Sequence, residues 1–175
     1  FIIELSDNYK DSRLTYQLGF TKDNLNFSGI STSGGFGQPL NNSTSFVGFE
    51  FSKRVQDITY KSALHIGQNQ SNFSQSGMIK GLDDSYYSSF DLGVYKEDLF
   101  TGSDSLGIEI FQPLRSEHAI MKLYIPTGRT KDKNILFEDL DIDLTPSGRQ
   151  INTQLVYRFS HEFLSFYGNL GFTKN

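Results

Sequence analysis

The feature that most constrains this chain is a period-2 alternation of apolar and polar side chains, repeated along most of its length. Leu14, Tyr16, Leu18 and Phe20 alternate with Thr15, Gln17, Gly19 and Thr21. The same rhythm returns at 58–66, 86–94, 106–110, 119–125, 151–159 and 164–172, with shorter candidates near 1–6, 24–31, 45–53 and 137–144. Successive side chains point to opposite faces of a strand, so this pattern predicts strands with one apolar and one polar face. Sixteen Phe, nine Tyr and sixteen Gly, with abundant Ser and Asn, favour strands joined by turns. The expectation is an all-β chain of about eleven antiparallel strands in one domain, residues 1–175, up-and-down in order and closed into a barrel of roughly 8–12 strands. A soluble β-sandwich is the alternative.

Several runs extend to nine to eleven residues, the length of a tilted strand crossing a bilayer. The second face is small or polar, which suits a barrel lumen and equally the wet face of a soluble sheet. Connections alternate in length. Residues 21–24 and 160–163 read as tight turns, whereas 31–44, 67–85 and 126–137 read as long polar loops. Short turns at one end and long loops at the other are usual in up-and-down membrane barrels. Aromatic residues near strand ends (Phe20, Phe49, Phe51, Tyr95, Phe111, Tyr124, Tyr157, Phe159, Phe163) fit an interfacial girdle or the core of a sandwich.

Composition narrows the function classes. The chain has no cysteine, which excludes a disulfide framework, a zinc–cysteine site and a thiol nucleophile. The net charge is −4 and the basic residues are scattered, which disfavours nucleic-acid binding. No apolar run is long enough for a transmembrane helix, a test that does not apply to barrel strands. The chain opens on Phe1 without a signal-peptide pattern and reads as a segment of a longer protein.

No catalytic constellation stands out. His65, His118 and His161 share no metal-ligand spacing, and no Gly-x-Ser-x-Gly elbow is present. Asp139, Asp141 and Asp143 alternate on one strand and form a weak candidate for a calcium site, but the EF-hand glycine and terminal glutamate are missing; a solvated strand face with Leu140, Ile142 and Leu144 packed is the plainer reading. Ser33-Gly34-Gly35-Phe36-Gly37 lacks the Gly-Lys-Ser/Thr ending of a phosphate loop and reads as a flexible loop. The Asn-x-Ser/Thr sequons at Asn26, Asn42 and Asn72 are of a kind expected by chance in so Ser- and Asn-rich a chain. No cofactor is expected.

Two segments carry a resemblance. Phe111-Gln112-Pro113-Leu114-Arg115 and Leu144-Thr145-Pro146-Ser147-Gly148-Arg149-Gln150-Ile151, each beside alternating strands, resemble the C-terminal β-region of subtilisin-like autotransporter serine proteases of Gram-negative bacteria. The match covers about a third of the chain. It implies a non-catalytic outer-membrane barrel, with lipid and an N-terminal protease passenger as partners. Gln112, Pro113, Arg115, Pro146, Ser147, Gly148 and Arg149 would then be structural motif residues. The ending Phe172-Thr173-Lys174-Asn175 departs from that family, whose last strand closes on an aromatic residue. The prolines remove ladder donors and belong at strand ends or turns, and Ser147-Gly148 is turn chemistry. Arg115 and Arg149 are expected near strand mouths, paired with Glu109, Asp141 or Asp143.

Overall fold

The computed structural model describes residues 1–23, 34–74, 76–161 and 164–174. Among them the chain is all-β, with ten antiparallel strands in one sheet: β1 Ile2–Tyr9, β2 Ser12–Asp23, β3 Pro39–Val55, β4 Ile58–Phe73, β5 Ile79–Glu97, β6 Asp104–His118, β7 Ile120–Arg129, β8 Ile135–Asp143, β9 Ile151–His161 and β10 Leu164–Lys174. Hydrogen-bonded neighbours run β1-β2-β3-β4-β5-β6-β9-β10, and the β7–β8 hairpin branches from β5. The up-and-down order is as expected. Closure is not: β1 and β10 are the two ends of the path and form no ladder with each other, so the sheet is open.

The branch at β7 is simpler than it looks. β5 pairs with β6 and then, further along, with β7, on one antiparallel ladder interrupted around Ala119. On its other edge this composite strand pairs with β9 and β8. The two ladders keep a common register: stepping from Ile120 back to Asp104, and from Asp143 on to Phe159, covers the same number of residues on each strand. β6–β7 and β8–β9 are therefore two long strands whose mutual ladder lapses between Phe111 and Ile120 and between Asp143 and Asn152, the stretches that carry Pro113 and Pro146, which lack backbone donors.

The strands outrun the sequence expectations. β3 has 17 residues, β4 16 and β5 19. Much of the expected loops 31–44 and 67–85 is strand, and residues 21–23 extend β2 rather than turning. The cause is side-chain pairing between polar residues across the ladder. Asn69 Nδ2 donates to Asn42 Oδ1 at 2.6 Å and to Thr44 Oγ1 at 2.7 Å, and Ser71 Oγ donates to Asn42 Oδ1 at 2.7 Å. Beyond this ladder, Phe73, Ile79, Leu82 and Ala119 are buried apolar side chains. The expected strand at 24–31, the sequon at Asn26 and the turn residues 162–163 lie outside the described residues.

Tight turns gather at one end. Lys10 and Gln56 take positive φ (51° and 56°) in the two-residue connections β1–β2 and β3–β4. The β5–β6 turn is held by Asp104, whose carboxylate accepts from the Phe100 and Thr101 N–H groups at 3.1 Å. At the opposite end the glycine-rich segment is not a loose loop. Gly34–Phe36 forms a 3-10 turn, Met78 N donates to Gly35 O at 2.9 Å, and Gly37 (φ 91°) lies so close to Gly77 that neither can carry a Cβ without a shift.

Candidate functional site

Residues directly opposite in a ladder share a face, so the registers sort the side chains into rows across the sheet. One face carries Ile3–Leu18–Val47–Ile66, then Leu5–Tyr16–Phe49–Leu64–Phe90, then Leu14–Phe51–Ser62–Leu92–Ile110, then Tyr60–Val94–Ile108–Leu155–Leu170. These rows are open: Ile66 is 54 % and Ile108 55 % exposed. Four rows two residues apart cover about 20 Å along the strands, close to the apolar band of a membrane sheet.

The opposite face is polar and more buried. Its rows read Glu4–Gln17–Gly48–His65–Ser89, Ser6–Thr15–Glu50–Ala63–Asp91 and Ser52–Lys61–Gly93–Glu109–Gln154. Thr15 is 3 % and Glu109 7 % exposed. One face of the sheet is thus apolar and exposed, and the other polar and less exposed.

Two networks link the polar groups of this face, the first half-exposed and the second around the buried Glu109. In the first, Gln17 Nε2 donates to Glu4 at 3.3 Å and to Glu50 at 3.2 Å, and His65 Nε2 meets Gln17 Oε1 at 3.3 Å. In the second, Glu109 accepts from Tyr95 Oη, from Gln154 and from Arg158 Nη2. Lys61 Nζ and the Arg158 guanidinium lie 4.8 Å and 4.9 Å from the centroid of the Tyr95 ring. It fits because Gly93 and Gly107 leave its footprint free; a Cβ on either would enter the ring.

The two motif segments come together where the composite strands are interrupted. Arg115 Nε donates to Gly148 O at 3.1 Å and its Nη2 to Pro146 O at 2.7 Å. Arg149 donates to Gln112 Oε1 and forms an ion pair with Glu117 at 2.9 Å, and Arg115 pairs with the same carboxylate. Ser88 closes the cluster by donating to Glu117 and accepting from Gln112 Nε2. The expected partners of the arginines are thus corrected. Glu109 on the polar face is taken by Arg158, and Asp141 and Asp143 lie further along β8; Glu117 takes both arginines. Its place two residues after Arg115, on the same face of one strand, was the available signal. Pro113, Leu114, Arg115, Pro146, Gly148 and Gln150 line a groove of about 190 Å³ between the segments, and Ser147 sits in the same exposed bend.

The other candidates stay apart. Asp139, Asp141 and Asp143 are exposed along β8, and among the described residues no three acidic, histidine or cysteine side chains converge on a metal-sized site. Leu140 and Leu144 are exposed too, so the packed strand face expected there is only partly formed. His118 stands beside the Tyr86 ring (6.4 Å), and the His161 side chain lies outside the described residues. Of the expected girdle, Tyr157 sits at the short-turn end between Phe100 and Phe166, with its hydroxyl donating to Asp104 at 3.0 Å. Tyr95 and Phe111 face the polar side, Phe49 and Phe51 lie within the apolar rows, and Tyr124 stacks on Phe137 in the β7–β8 hairpin.

Comparison with protein-family models, curated proteins and solved structures finds no significant match. The likeness of the motif segments to autotransporter β-regions stands on those residues alone.

Proposed function

We propose that this chain is a membrane-embedded β-sheet, a wall of an outer-membrane-type barrel, and acts as an anchor or conduit without catalytic chemistry of its own. The observation that carries this is the four rows of exposed apolar side chains backed by a hydrogen-bonded polar face. Each row spans at least four strands, with Ser62 the one polar residue in the four, far beyond the scattered exposed leucines of a soluble surface. Lipid tails satisfy such a face at no desolvation cost. In water it would need another surface laid over it. In a bilayer the open edges of β1 and β10 must each find a strand partner, because unpaired backbone groups are not tolerated at lipid.

The finer proposal is that the sheet serves an autotransporter, anchoring or exporting an upstream subtilisin-like passenger. It is supported by the two motif segments and by their convergence at one junction.

Dilution from urea tests the first proposal. The chain should acquire β-sheet circular dichroism and protease resistance in the presence of phosphatidylcholine vesicles and aggregate in buffer alone. A monodisperse, folded monomer in buffer would overturn it.

A further inference from the structure

We propose that the Arg115–Arg149 junction is a binding site for the headgroup of an anionic phospholipid, one whose phosphate is not balanced by a headgroup cation. This rests on the membrane reading above and adds a ligand to it.

Position is the first observation. Arg115 lies opposite Ser88, which lies opposite Ile66, so the junction continues the top apolar row Ile3–Leu18–Val47–Ile66. On the same face, Gln112 follows Phe90 in the next row. The cluster therefore sits on the lipid-facing side at the border of the apolar band, where headgroups lie.

Charge is the second. Two guanidiniums share one carboxylate, Glu117, leaving the junction with one excess positive charge. The neighbouring Gln112 and Ser88 are neutral, and the acidic Asp143 beyond the junction lies beside His118. A charged cluster at a lipid-facing border that is not self-neutralised calls for an anion from the membrane side.

Shape is the third. Arg115 is mostly buried and spent on Pro146, Gly148 and Glu117, so it fixes the site. Arg149 is half exposed beside the groove; its Nη1 donates to Gln112 and its Nη2 to Glu117, and its remaining N–H groups are what it can offer an anion. Leu114, 69 % exposed on the groove wall, and the Ile66 row below offer apolar surface to the acyl chains of the same lipid. A planar guanidinium suits a phosphodiester, and the adjoining apolar surface favours a lipid over free phosphate.

Vesicle partitioning of the full chain tests this. Wild type, Arg149→Gln and Arg149→Lys are measured in phosphatidylcholine vesicles and in vesicles containing phosphatidylglycerol. With a net charge of −4 the chain as a whole is repelled by an anionic surface, so a preference for it must be local. The wild type should enter both vesicles and partition several-fold more strongly into the anionic ones. Arg149→Gln should enter phosphatidylcholine as well as wild type and lose the preference, and Arg149→Lys should keep most of it. Equal partitioning of the wild type, or full preference in Arg149→Gln, overturns the site while leaving the membrane reading intact. Loss of the preference on adding millimolar inorganic phosphate overturns the lipid assignment. Failure to enter either vesicle overturns both proposals.

Discussion

The Arg115 guanidinium donates to the Pro146 carbonyl at 2.7 Å and so bridges two segments 31 residues apart in sequence. Both segments interrupt a long strand with a proline, and their backbone ladder is missing between Phe111 and Ile120 on one side and between Asp143 and Asn152 on the other. Arg115 replaces part of that ladder with side-chain bonds. Removing it leaves the Pro146 and Gly148 carbonyls without their side-chain donor and takes one of the two arginines from Glu117. Arg115→Ala should lower stability by about 3 kcal/mol. Urea unfolding followed by tyrosine fluorescence in vesicles checks this; an unchanged midpoint would show that the interruption is held by other contacts.

Tyr95 and the two glycines beneath it form a steric lock on the polar face. Gly107→Ala places a methyl group inside the space of the ring and should cost about 1–3 kcal/mol, as overpacking does. Combining it with Tyr95→Ala should cost less than the two changes summed, because the clash disappears with the ring. Additive costs in a double-mutant cycle would show that ring and glycine do not meet.

The apolar and polar faces should answer oppositely to charge. Leu64→Arg falls in the middle of the apolar rows and should cost about 2–4 kcal/mol in a bilayer. Ala63→Arg, one residue away on the polar face beside Glu50 and Asp91, should be tolerated. Folding yields in vesicles for the two variants give the comparison, and equal losses would argue against a lipid-facing side.

Asp143, beyond the apolar band, titrates locally. Its carboxylate accepts from the Thr145 hydroxyl and from the Thr145 N–H, at 2.8 Å for the latter, and these bonds hold its pKa below the ordinary 3.8. Because the folded pKa is depressed, the contribution of this turn is present above the ordinary value and is lost as pH falls through the lower, folded one. The Thr145 amide proton shift should titrate with the Asp143 carboxyl, with a midpoint below 3.8. A midpoint at or above that value would contradict the bond.

Strand existence and facing were legible in the sequence because the period-2 rhythm of segments such as Leu14–Thr21 survives as the pleat. Strand length was not. Asn42, Thr44, Asn69 and Ser71 read as loop residues, yet they bond to one another across β3 and β4, and that pairing exists only once the register is set. Open edges were equally illegible, since closure depends on what β1 and β10 meet. The motif segments were visible as proline-bearing interruptions. Their meeting, and the choice of Glu117 over Glu109, follows from the shared register of β6–β7 and β8–β9, which no local pattern records.

The central claim is that the apolar face meets lipid and the polar face does not. The native chain has no cysteine, so single-cysteine variants can be labelled cleanly. Bimane placed at Val47, Leu64 or Ile108 should be quenched strongly by spin-labelled lipid acyl chains. Bimane at Gln17, His65 or Gln154 should be quenched weakly by lipid and readily by aqueous iodide. Equal quenching at the two sets, or stronger lipid quenching at Gln17, His65 and Gln154, would contradict the account.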